Sequence, residues 1–147
     1  MRESTSEDGQ ITVMIIGYVV LALLVATVVM GISSIYLEHK RLLSLADGAS
    51  LAAADSYTLG EVATQGGSPS AVLNPARVRS VAADFVARSP ASARFDALAV
   101  AGATGTPDGS TAVVVLTAAV HPPVVNFLVP DGILIEATST ARSRLTR

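Results

Sequence analysis

ITVMIIGYVVLALLVATVVMGISSI, residues 11–35, decides the fold of this chain. The run is 25 residues long and carries no charge. As an α-helix rising about 1.5 Å per residue it extends roughly 37 Å, more than the roughly 30 Å hydrocarbon core of a bilayer. A soluble core helix of this length needs a polar face, and this one has none. Its hydroxyl residues, Thr12, Thr27, Ser33 and Ser34, can bond back to carbonyls of the preceding turn and so sit in lipid. The stretch reads as one tilted transmembrane helix, and everything after it as a domain hung on that helix.

Working outward, residues 1–10, MRESTSEDGQ, form a polar N-terminal tail. A secretory signal would have a net positive tail and an apolar run of about 7–15 residues. Here Arg2 faces Glu3, Glu7 and Asp8, and the apolar run is too long. An uncleaved anchor is the expectation. On the other side, Tyr36 falls where an aromatic anchor meets the lipid–water boundary, and Glu38, His39, Lys40 and Arg41 mark the exit into water.

Nothing stops the helix there. No proline occurs from Leu37 to Ala54. Leu42, Leu45, Ala49 and Ala52 recur at 3-4-3 spacing and make a narrow apolar stripe. The expectation is a helix extension over 36–57 whose stripe packs on its own domain or on a neighbouring helix. Its Ala, Ser and Gly residues permit close approach in either case. Asp47 and Asp55 lie eight apart, with no basic partner nearby, and read as a solvated face rather than an acid–base pair.

Residues 58–73 read as a loop, from Gly60, Gly66, Gly67 and Pro69. Gly66-Gly67 lacks the lysine and the preceding strand of a phosphate-binding loop. Residues 74–147 read as a small α+β domain. Asn74-Pro75 is a helix start, and Val78, Val81, Ala82, Phe85 and Val86 define a buried face. Arg77, Arg79 and Arg88 lie off that face and read as solvated, although such a cluster can also hold phosphate or anionic headgroups. Ser89-Pro90 ends the helix.

Past Arg94 the period changes to two. Strands are expected over 95–101, 111–120 and 133–141, the first two forming a hairpin across the Gly-rich 102–110. In the first, Phe95, Ala97, Ala99 and Ala101 share a face. In the third, Ile133, Ile135, Ala137, Ser139 and Ala141 share one. Residues 124–132 read as a loop or one helical turn against the core or the membrane surface. The fold class is therefore α+β: a transmembrane helix prolonged into a long extension, a second helix, and a small three-stranded antiparallel sheet.

Composition excludes several functions. A net charge of −2 leaves no basic footprint for nucleic acid. Without cysteine there is neither a disulfide nor a thiolate metal site. His39 and His121 are the only histidines, with no His-x-x-x-His spacing, and no Gly-x-Ser-x-Gly occurs. No catalytic residue, metal, cofactor or small-molecule substrate is expected. Half the residues are hydrophobic but only 4% are aromatic, so the core is expected to be thin and built of Ala and Val.

The layout is similar to that of pilin-like proteins. Asp8-Gly9-Gln10 opening the span, Tyr36-Leu37 with a basic pair after it, and LADGASLAAAD over 45–55 resemble the TadE/TadG-like proteins of tight-adherence (Flp) pilus assembly, actinobacterial type. The resemblance covers residues 7–57. It implies a single-pass protein of the cell membrane with an extracytoplasmic C-terminal domain and no enzymatic activity. Its partners would be the lipid bilayer and other pilin-like subunits or pilus-assembly platform proteins. The charge count alone, Arg2 against Lys40 and Arg41, points the domain inward; the resemblance points it outward, and we follow the resemblance. Family members cut by the prepilin peptidase carry a Gly cleavage point and a Glu five residues on. Gly9 is the candidate, but the fifth residue after it is Met14, so the expectation is an unprocessed chain. The alternative function is a membrane-anchored binding module for an envelope protein or polymer.

Overall fold

The computed structural model describes residues 5–57, 62–65, 68–122 and 130–143. Helix α1 runs unbroken from Thr5 to Ala54, 50 residues. It begins inside the stretch read as a tail. It stops in a turn in which the Asp55 N–H donates to the Leu51 carbonyl and Ser56 N–H to that of Ala53.

The stretch read as a loop holds a small antiparallel hairpin, β1 (Val62–Gln65) with β2 (Ser68–Ala71). Pro69 had argued against a strand. A two-stranded ribbon has only edges, where a missing N–H is tolerated. Gly66-Gly67, at its tip, lies outside the described residues.

Helix α2 spans Pro75–Arg88 and starts as expected: the Asn74 side chain accepts from the Ala76 N–H and Pro75 occupies the first turn. Val78, Ala82 and Val86 are buried, with Val81 and Phe85 half-buried beside them. A short 3-10 helix, Pro90–Arg94, leads into the sheet.

The sheet is β3 (Asp96–Val100), β4 (Thr111–Val120) and β5 (Ile133–Arg142), in that spatial order and antiparallel throughout. On β5, Ile135, Ala137, Ser139 and Ala141 are buried while Leu134, Glu136, Thr138 and Thr140 are exposed, the alternation its sequence predicts. Against them β4 turns Ala112, Val114, Leu116, Ala118 and Val120 inward. Leu116 pairs with Ala137 and Val114 with Ser139, large opposite small. The second half of α1 lies on this face, contributing Leu42, Leu45, Ala46, Ala49 and Ala53 to one core shared with α2. Residues 123–129, in the segment read as a loop or helical turn, are outside the described range.

On β3 the face that Phe95, Ala97 and Ala99 were expected to share is broken. Phe95 is buried, but Ala97 and Ala99 are exposed while Leu98 and Val100 are half-buried. The pairing with β4 slips between Asp96 and Ala99, and Ala97 has φ of +50°. One extra residue in a bulge moves every later side chain to the opposite face. Leu98 and Val100 thereby face the core in place of alanines.

A buried side-chain pair bridges α1 and the sheet. Ser50 Oγ lies 3.0 Å from Ser139 Oγ, joining α1 to the middle of β5. Ser50 also donates to the Asp47 carbonyl at 2.9 Å. Ser139→Ala is expected to cost about 1 kcal/mol. Ser50→Ala is expected to cost roughly 1–3 kcal/mol by stranding the Ser139 hydroxyl, and the double replacement less than the two single costs added. Urea unfolding of the four proteins in one detergent measures this coupling; strict additivity would mean the hydroxyls do not interact.

The 102–110 connection is held from two sides. Arg79 Nε donates to the Thr104 carbonyl at 2.8 Å, and the buried Thr104 hydroxyl accepts from the Val115 N–H at 3.0 Å. Asp108 accepts from the Ser110 N–H, the Thr111 N–H and the Thr111 hydroxyl. The Ser110 N–H first, then the Thr111 groups, hold the Asp108 carboxyl well below its ordinary pKa. A carboxyl depressed in the fold stabilises it above its unfolded pKa, about 3.9, and the contribution fades as pH falls below that. Asp108→Ala is therefore expected to narrow the gap to wild type as unfolding is measured from pH 6 toward pH 3. A constant gap would remove the carboxylate from the account.

Candidate functional site

Helix α1 serves two environments. From Ile11 to Val29 its large side chains are exposed on every side, Val13 to 70%, and none of the described residues covers them. This is the one helix among the described residues long and apolar enough to cross a membrane. Where the apolar run ends, side chains lean back toward it. Lys40 Nζ sits 5.6 Å from the centroid of the Tyr36 ring, one turn earlier, and Arg41 pairs with Glu38. That lean follows from the Cα–Cβ direction in a helix.

The stripe on the extension had two possible uses. Leu42 and Ala49 are fully buried and Leu45 is 5% exposed, all within the chain's own core; Ala52 is half-buried at its margin. The opposite face carries Lys40, Ser44, Asp47, Leu51 and Asp55, all exposed. Leu51, 61% exposed, is the large apolar residue there. Sequence spacing alone did not single it out, because it falls off the 3-4-3 stripe.

Among the described residues the titratable groups lie apart from one another, save for the pairs Arg41–Glu38 and His121–Asp96. Asp47 and Asp55 are exposed on that outer face. Arg77 is exposed and Arg88 Nε donates to the Asp84 carbonyl at 3.1 Å, while Arg79 braces the 102–110 connection. His121 Nδ1 is 3.2 Å from Asp96 Oδ2, at a cleft of about 300 Å³ that also reaches Ser34 and Glu38. The other ring nitrogen packs on Gly132, where an added Cβ would come within 2.9 Å of Nε2. Among the described residues no three His, Cys, Asp or Glu side chains gather as metal ligands. Gly9 lies in the first turns of α1, with nothing within 4 Å of where a Cβ would be.

A second cleft, of about 270 Å³, opens where the start of the extension meets the end of α2 and the 3-10 helix. Arg41 and Arg94 stand at its sides, Ser44 and Ser89 supply hydroxyls, and Phe85 and Phe95 line it.

Residues 9–56 match the Tad family model, described as "Putative Flp pilus-assembly TadE/G-like". The match covers the apolar span and the extension, about a third of the chain, and stops before the hairpin and the sheet. It supports a role related to Flp pilus assembly. No curated protein and no solved structure matches the chain.

Proposed function

We propose that this chain, TadE/G-like over residues 9–56, is a membrane-anchored, pilin-like structural or assembly component of a tight-adherence pilus or secretion system. One observation carries the reading. A single unbroken helix is bare and apolar through its first half and becomes the core of a folded unit in its second. Bilayer burial stabilises the first half, since water leaves that surface without a partner. The second half fixes the small domain at a set height and orientation above the membrane. The extracytoplasmic side is part of the proposal, as are other pilin-like subunits or platform proteins as partners and an N-terminus left uncut at Gly9.

The test joins topology to phenotype. An epitope tag after Arg147 is digested by protease in spheroplasts while a cytoplasmic control survives, and deleting the gene removes surface pili. A protected tag, or normal pili in the deletion strain, would defeat the reading. N-terminal sequencing checks the uncut end: a mature chain starting at Gln10 would overturn it.

A second reading, a binding module for an envelope protein or polymer, is favoured by the outer edge of β5. Ser143 N–H donates to the Ser110 carbonyl at 2.9 Å. The register then turns the N–H and C=O groups of residues 134, 136, 138, 140 and 142 away from β4. Among the described residues no strand pairs with that edge, and an extended segment of a partner could add there. Neighbouring genes for a secretion ATPase and platform proteins would favour the pilus reading over this one.

A further inference from the structure

The cleft between Arg41 and Arg94 has a composition and a height that fit one kind of ligand. Its two charged residues are both cations, and no carboxylate lines it. Glu38 holds one Arg41 nitrogen, Nη1, which leaves further N–H donors on that guanidinium. Arg94 makes no ion pair among the described residues and is exposed. Ser44 and Ser89, which carry hydroxyls, line the cleft with the cations, together with Phe85 and Phe95. Cations and hydroxyl donors over an apolar wall suit a phosphate group attached to an apolar body.

The height agrees, given the membrane span of the proposed function, on which this inference rests. Arg41 is six residues beyond Ile35, about 9 Å along the helix. The headgroup layer is roughly 5–7 Å deep on each side of the hydrocarbon. Arg41 leans back one turn toward the span, as its contact with Glu38 shows, and Lys40 leans likewise over Tyr36. The lean lowers the guanidinium from the helix-axis height toward the phosphate layer. A phosphate layer lies at this height on either side of the membrane.

We propose that this cleft binds a phosphate group, supplied by the headgroup of an anionic phospholipid, and so seats the domain on the bilayer. Arg94 and Arg41 ligate the phosphate oxygens, and Ser44 and Ser89 add hydroxyl donors.

The test uses the full chain in nanodiscs of phosphatidylcholine with a minor share of phosphatidylglycerol. Native mass spectrometry counts the phosphatidylglycerol retained on release. Wild type is expected to retain it, and Arg41→Gln/Arg94→Gln to lose it by roughly tenfold, the scale of charged hydrogen bonds. Arg94→Gln alone, at an exposed position that leaves the core untouched, is expected to lose part. Arg77→Gln, at the other end of α2, is expected to behave as wild type. Equal retention by wild type and the double variant, both with native circular dichroism, would overturn the proposal. Inorganic phosphate is titrated into discs of phosphatidylcholine alone. Saturable, arginine-dependent phosphate binding without phosphatidylglycerol retention would overturn the lipid as the source. A chain that does not incorporate into discs at all would overturn the membrane reading, and this proposal with it.

Discussion

Gly48→Leu is expected to unseat α2 from α1. A Cβ at position 48 would come within 2.7 Å of Phe85 Cζ and 2.9 Å of Cε1, closer than carbon atoms approach. Glycine inside a helix ordinarily costs about 0.5–1 kcal/mol relative to alanine. Here that cost is offset by the close approach it permits between the two helices. Alanine already forces the Phe85 ring to move; leucine adds three carbons beyond that collision. Destabilisation of about 1–3 kcal/mol or more is expected, the range for overpacked interiors. Hydrogen exchange of the α2 backbone reads it directly as loss of protection, with the apolar span of α1 as an internal reference. Shortening the obstacle should relieve it. Gly48→Leu/Phe85→Ala is expected to cost less than the sum of its parts. Unchanged exchange in Gly48→Leu would mean the helices do not meet at this distance.

The second large effect separates two leucines nine residues apart on one helix. Leu42 is fully buried and Leu51 is 61% exposed. Leu42→Ala is expected to cost about 2–5 kcal/mol, through lost transfer energy plus the cavity left in the core. Leu51→Ala is expected to stay within about 0.5 kcal/mol, because no partner is lost. Urea unfolding of the two variants in one detergent compares them directly. The pair also divides folding from assembly. If the outer face of the extension meets another subunit, Leu51→Ala lowers pilus number while leaving the domain folded. Leu42→Ala acts only by unfolding the domain. Equal stabilities for the two would contradict the burial that separates them.

Much of the fold was legible because local rules and tertiary packing agree over most of this chain. Twenty-five uncharged residues can satisfy their backbone in lipid only as a helix, so the span needs no tertiary information. Asn74-Pro75 caps a helix by its own side chain and fixed φ. The strict alternation on β5 assigns its faces before any partner is known. The Tad resemblance was legible for a related reason: the residues that carry it, and the matched stretch 9–56, are a continuous apolar run and a small-residue extension whose character is local in the sequence.

Other features depended on contacts between segments far apart in sequence. Nothing local at Ala97 announces a bulge, since an alanine at φ of +50° is tolerated only because the pairing of β3 with β4 holds it there. The β1–β2 hairpin hides in residues that read as loop, because four-residue strands with a proline lack a periodic pattern. The use of the 42–52 stripe was undecided in the sequence, where packing on a sheet and packing on a neighbour require the same small residues. The domain's own core, shared by the sheet and α2, takes Leu42, Leu45 and Ala49. The Arg41–Arg94 cleft joins residues 53 positions apart, and no motif spans that distance. By itself, then, the sequence determined the long apolar helix, the second helix, the three strands of the larger sheet and the family likeness, all set by short-range periodicity and the solvent each segment can tolerate. Only the tertiary structure decided which face of the extension is spent on the domain's own core, which remains exposed, and that two distant arginines line one cleft, because those outcomes depend on how separate elements fill the space between them.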